Sequence, residues 1–225
     1  MWDVWTPAQA LAASRAAQAG LRSHGCQVNQ LPSELGKLIK NPFLTLARVA
    51  DEESVGKLAD FVCAYVRYLE LEVETVLDLG CGLGRWKGFV EEHFPGCRYT
   101  GVEVSAYLCE ERGWEQGSVV DYVPEEPADF VICQGVLQSL DDAAAERAIE
   151  NLARVTGGAL YLEALTRRDW EEACSQALTD GDVFLRKGAW YRERLARHFT
   201  TCGGGLFVPH DADVVLYELE VAEPG

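Results

Sequence analysis

A chain of 225 residues that is 48% hydrophobic and 25% charged has the composition of an ordinary globular protein with one large core. Its formal net charge of −16 repels phosphate backbones and so disfavours a nucleic-acid partner. No apolar run approaches a membrane span, and the opening MWDVWTPAQA lacks the basic start and apolar run of a signal peptide; a soluble, cytoplasmic protein without a membrane partner is expected.

Residues 1–50 read as a helical segment. Thr6-Pro7 suits an N-cap and first helical position, an alanine-rich helix follows to a stop at Gly25, and Pro32 and Pro42 bracket a shorter helix. This segment holds two acids (Asp3, Glu34) against five bases (Arg15, Arg22, Lys37, Lys40, Arg48), and is expected to form a lid or substrate cap. From Glu52, the residues Val55, Leu58, Val62, Tyr65, Val66 and Leu69 recur at helical spacing and predict a long amphipathic helix ending near Glu72.

Strand and helix then alternate. Strands are predicted at Thr75–Leu79, Arg98–Val104, Asp129–Cys133 and Ala159–Glu163, with a weaker one at Ser118–Val120; helices are predicted over 84–94, 105–112 and 141–155. Leu206–Val208 and Val214–Val221, joined by Pro209–Asp213, read as a closing antiparallel hairpin. Such alternation predicts an α/β fold: a mostly parallel sheet with helices on both faces. A second basic stretch, Arg186 to Arg197, is either a solvated helix face or a binding patch. Eight scattered cysteines with no CxxC pair, several inside apolar runs, suit reduced buried thiols and give no support to a metal site.

The stretch VLDLGCGLGRW, residues 76–86, carries the chemistry. A carboxylate, Asp78, and three alternating glycines, Gly80, Gly82 and Gly84, follow a run of β-formers. In an open parallel sheet, ligands bind beyond the carboxyl ends of the strands, and bare glycines let a ligand lie against the main chain while Asp78 holds a cationic group. A tight strand-to-helix turn with nothing bound would use the same glycines. The next predicted strand ends in Glu103, nineteen positions beyond Gly84, where an acid accepts hydrogen bonds from both hydroxyls of a ribose.

VLDLGCGLGRW with YTGVEVS resembles the class I S-adenosylmethionine-dependent methyltransferases, whose first motif is D/E-x-G-x-G-x-G; the likeness runs from about Glu52 to Leu219. The dinucleotide fingerprint G-x-G-x-x-G fits less well, because Arg85 or Lys87 falls where its third glycine belongs. The resemblance implies a Rossmann-like seven-stranded domain over 51–225 with S-adenosylmethionine as cofactor and S-adenosylhomocysteine as product. It implies a cofactor site of Asp78, Gly80, Cys81, Gly82 and Gly84 with Glu103 and Val104, Ser118 and Val119 bordering the adenine, and Gln134 beside the methionine part. Ser118 stands where an aspartate is common in the family, and Leu137-Gln138-Ser139-Leu140 carries no histidine where many small-molecule members have one.

Methyl transfer from a sulfonium is an in-line displacement, so the protein mainly aligns the nucleophile. The expected reaction is O- or N-methylation of a small-molecule acceptor, with Glu163, at the end of the predicted fifth strand, as candidate base or substrate contact. A non-catalytic protein that binds the cofactor or its product and acts through a partner is the alternative, with a nicotinamide-dependent Rossmann oxidoreductase behind it.

Overall fold

The structure, a computed structural model, describes residues 52–173 and 183–217. The predicted cap over 1–50, Cys26 and Cys174 lie outside these residues. Chain order is α1 (Glu52–Tyr68), β1 (Thr75–Leu79), α2 (Lys87–His93), β2 (Arg98–Glu103), α3 (Ala106–Arg112), β3 (Glu115–Gln116), β4 (Ala128–Gln134), a 3-10 turn (Leu137–Ser139), α4 (Asp142–Val155), β5 (Thr156–Glu163), α5 (Arg167–Glu172), α6 (Gly188–Leu195), β6 (Phe199–Gly203) and β7 (Leu206–Pro209).

These strands form one sheet in the order β3-β2-β1-β4-β5-β7-β6. Its first five members are parallel, while β7 runs antiparallel to both β5 and β6. The order reverses between β1 and β4, which opens a crevice beyond their carboxyl ends. Alternation along each strand makes two cores. Val76, Phe130, Ile132 and Tyr161 meet Val62, Val66 and Val90 of α1 and α2 on one face, whereas Leu77, Val131, Leu160 and Leu162 meet Ile149, Leu152 and Leu195 of α4 and α6 on the other.

Two sequence expectations are corrected. The third strand is not Ser118–Val120 but the exposed pair Glu115–Gln116; Val119 is a turn residue whose side chain packs into the second core. The antiparallel hairpin is not the pair 206–208 and 214–221: Phe199–Gly203 pairs with Leu206–Pro209, and 212–217 forms no strand. Three successive glycines, Gly203, Gly204 and Gly205, all at positive φ, make its turn. The six described cysteines are free thiols. Among the described residues no helix is long and apolar enough to cross a membrane.

The basic stretch 186–197 is largely consumed within the fold. Arg186, 6% exposed, pairs with Asp142 at 2.7 Å and donates to the carbonyls of Leu137, Leu140 and Phe184. Arg194 and Arg197 both reach Glu146 of α4, and the guanidinium groups of Arg186 and Arg194 both lie over the Trp190 ring.

Candidate functional site

The glycine turn is built by backbone bonds that point inward. The N–H groups of Gly80 and Cys81 both donate to Val102 O (2.8 and 3.1 Å), Gly82 N–H donates to Glu103 Oε2 (3.1 Å), and Gly84 N–H donates to Cys81 O (2.8 Å). A pyrophosphate site needs free N–H groups at the start of a helix. Here four of the turn's N–H groups are already spent, and α2 begins only at Lys87, so the nicotinamide-dinucleotide reading loses its support.

The three glycines have different reasons. Gly80 lies at φ 78°, and a Cβ there would sit 2.4 Å from Val136 Cγ2. Gly84 makes room for Trp114, whose ring a Cβ would meet at 2.4 Å, and the same indole occupies the space beside Gly101. Only Gly82, at φ 53°, faces open space, with nothing within 4 Å of its would-be Cβ. Gly80 and Gly84 thus have internal packing to explain them, and Gly82 does not. Gly80→Ala is accordingly expected to destabilise the fold by roughly 2–4 kcal/mol, from the left-handed backbone plus overpacking. Gly82→Ala should cost about 1 kcal/mol of stability yet weaken cofactor binding at least ~10-fold. Urea unfolding and titration calorimetry separate the two; equal stability losses with equal affinities would contradict the assignment.

Two acids flank the turn. Glu103, 1% exposed, is fixed by backbone: Gly82 N–H reaches Oε2 and Ser105 N–H reaches Oε1 at 3.0 Å. Each oxygen keeps a second lone pair for a hydroxyl donor. Asp78, 2% exposed, accepts a 2.5 Å hydrogen bond from the hydroxyl of Tyr99. Burial pushes its carboxyl up to about 7, with Glu103 adding to the rise and the Tyr99 hydroxyl opposing it. Burial, helped by both acids, also raises the Cys81 thiol, so this cysteine is inert packing rather than a nucleophile.

The remaining predicted residues fall as follows. Val104 is exposed beside Glu103. Ser118 turns its own loop, its Oγ accepting from Val120 N–H at 3.2 Å. The side chain of Val119 is buried, and its carbonyl accepts from the Asn151 amide of α4 at 3.0 Å. Gln134 and Glu163 are cross-strand partners at the ends of β4 and β5, and the Gln134 amide donates to Glu163 Oε2 at 3.4 Å.

Four contributors escaped the sequence reading. Tyr99 holds Asp78, Trp114 fills the space that Gly84 and Gly101 leave, and Trp86 donates its indole N–H to Gln134 Oε1 at 2.8 Å. Gln138, in the position where the family often has histidine, is wholly buried. It donates to Gly135 O and accepts from Leu165 N–H, tying the loop after β4 to the loop after β5. Trp86 closes the glycine motif and was open to inspection; the other three lack a local signal.

Residues 77–157 match the family described as "Methyltransferase domain". This span covers the last three residues of β1 with the glycine turn, Glu103, the loop at Ser118 and the end of β4. Over these residues the chain is similar to a methyltransferase domain. S-adenosylmethionine is the cofactor that goes with this domain, and the residues present fit it: a bare Gly82, a backbone-held acceptor in Glu103 and a buried acid in Asp78. A curated relative, the trans-aconitate 2-methyltransferase of Azoarcus sp. (strain BH72), is 31% identical over 149 residues, 56% of this chain; the chain spans 57% of that relative's length. Among solved structures, DesVI of Streptomyces venezuelae aligns with a TM-score of 0.54 at 15% identity, over 72% of this chain and 92% of that one. The magnesium protoporphyrin IX methyltransferase ChlM of Synechocystis PCC 6803, solved with bound SAM, aligns with a TM-score of 0.51 at 18% identity, over 75% and 81%. At such identities these two speak for the fold of the methyltransferase domain.

Proposed function

We propose that the protein transfers a methyl group from S-adenosylmethionine to a small-molecule acceptor at oxygen or nitrogen. The observation that carries this reading is Gly82, bare and facing open space, with its N–H held by the carboxylate of Glu103. Glu103 would take the ribose hydroxyls. Gly80, Gly82 and Asp78 would border the methionine and ribose, Val104, Ser118 and the backbone of Val119 the adenine, and Gln134 the end nearest the reacting centre. Cys81 and Gly84 serve by shaping the turn. The cofactor supplies an electrophilic methyl group already activated on sulfur. This chain's residues bind it, exclude water and align the acceptor, for which Glu163 is the candidate contact. The curated methyltransferase relative supports a small acceptor.

Incubation of the purified chain with methyl-labelled S-adenosylmethionine and a deproteinised cell extract tests the reading. Label passing into a small molecule is the expected result. Binding of the cofactor with no transfer to any component would favour a non-catalytic binder instead.

A further inference from the structure

Glu163 lies at the end of β5, half-buried, opposite Gln134 on β4. Its Oε2 accepts from the Tyr161 hydroxyl at 3.0 Å and from the Gln134 amide at 3.4 Å. Gln134 cannot turn its amide over without losing the 2.8 Å bond from Trp86, because an indole N–H only donates; it must therefore offer its NH2 to Glu163. Both anchors are almost sealed from solvent, Trp86 at 3% and Tyr161 at 2% exposure, and their rings pack with centroids 5.0 Å apart. The carboxylate is thus held in one orientation by a rigid set of donors. Among the described residues, no lysine, arginine or histidine forms an ion pair with it, and no hydrogen bond reaches Oε1.

A half-buried carboxylate without a cation, with one oxygen spent on fixing it and the other unspent, leaves a positioned acceptor open to a donor from outside the fold. The crevice beyond β4 and β5 also adjoins the glycine turn, since Val136, two residues past Gln134, packs on Gly80. We infer that Glu163 is the acceptor-recognition residue, and that the acceptor presents to its Oε1 an amine or hydroxyl group rather than a carboxylate. This rests on the methyl-transfer reading above. A polycarboxylate such as trans-aconitate, which the curated relative's name gives as its substrate, would place like charge against Glu163. The two chains share a domain, and on this inference they differ in the charge of what they methylate.

The test labels a deproteinised cell extract with methyl-tritiated S-adenosylmethionine and the full chain, then treats the product with mild alkali. Carboxyl methyl esters release volatile tritiated methanol, whereas N-methyl and ether products keep their label. Glu163→Gln preserves the donors' partner, since its amide oxygen accepts from Tyr161 and Gln134, but turns Oε1 into a donor. The expected result is alkali-stable label. With Glu163→Gln, kcat/KM for the labelled acceptor should fall at least ~30-fold, mainly through KM, because binding of the acceptor is what is lost. The affinity for S-adenosylmethionine by calorimetry should stay within about threefold of the unmodified chain, and Glu163→Asp should recover part of the loss. Alkali-labile label, alkali-stable label indifferent to Glu163→Gln, or no label at all from a protein that binds the cofactor would each overturn the inference. Failure of the unmodified chain to bind S-adenosylmethionine would instead remove the methyl-transfer reading beneath it.

Discussion

On the proposed reading, replacing Glu103 by alanine is expected to weaken S-adenosylmethionine binding by at least ~100-fold, because two charge-assisted hydrogen bonds to ribose hydroxyls, roughly 1.5–3 kcal/mol each, would be lost. It should also destabilise the ligand-free protein by about 2–4 kcal/mol, because the N–H groups of Gly82 and Ser105 lose their partners in a site that is 1% exposed. Glu103→Gln separates the two effects. It keeps the volume and one acceptor oxygen, but sets an amide NH2 against one of the two backbone N–H groups. Its stability should lie between those of the other two proteins, while most of the cofactor affinity is still lost. Calorimetry on variants shown to be folded by thermal melts makes the measurement. A folded Glu103→Ala protein with unchanged affinity would show that the acid serves the turn alone.

Asp78→Asn is expected to do the opposite to stability. The carboxyl sits at about 7 in the folded protein against 3.8 when unperturbed, chiefly because it is buried. The folded state therefore holds a proton that the unfolded state has released over that window. Stability falls as pH rises from about 4 to about 7 and stays level, at this site, above it. Asparagine keeps an acceptor for the Tyr99 hydroxyl and carries no charge to bury. The variant should consequently be more stable than the unmodified chain by about 2–4 kcal/mol at pH 8, with the gap shrinking toward pH 4. Urea unfolding across pH measures it, and a gap independent of pH would contradict it. The same acid explains why such a costly group is kept. If Asp78 serves a cationic group of the cofactor, affinity in the unmodified chain falls up to ~10-fold for each pH unit below about 7, and Asp78→Asn is weak and flat across that range.

The parts of this site legible in the sequence were those with a local cause. β1 was read to the residue because Thr75–Leu79 is a short β-forming run stopped by glycine, and Glu103 because it closes the next such run. The helix expected from residue 84 begins at Lys87, since 84–86 are still turn. Ser118–Val120 looked like a strand because two valines favour pleated backbone; tertiary packing won, with Val119 drawn into the core and Asn151 holding the loop. The real edge strand, Glu115–Gln116, is polar and solvent-facing and leaves no hydrophobic trace. The hairpin turn carries a usable signal in the run Gly203-Gly204-Gly205, which competes in the sequence with the turn-like Pro209–Asp213. Trp114, Tyr99 and Gln138 act across 21 to 30 residues of chain, on Gly84, Asp78 and Leu165, and periodicity does not report contacts at that separation.

The two acids also explain one another. Burial raises the Asp78 carboxyl and the neighbouring Glu103 carboxylate adds to that rise, while backbone donors hold Glu103 in place beside it. A ligand that brings a positive group to Asp78 and hydroxyls to Glu103 relieves both.

The most direct measurement is calorimetric titration of the purified chain with S-adenosylmethionine and S-adenosylhomocysteine, with Gly82→Ala beside it. The account predicts micromolar binding of both ligands and a clear loss of affinity in a Gly82→Ala protein that remains folded. No binding of either ligand by the folded, unmodified chain would contradict it, and would leave the glycine turn as a way of joining β1 to α2.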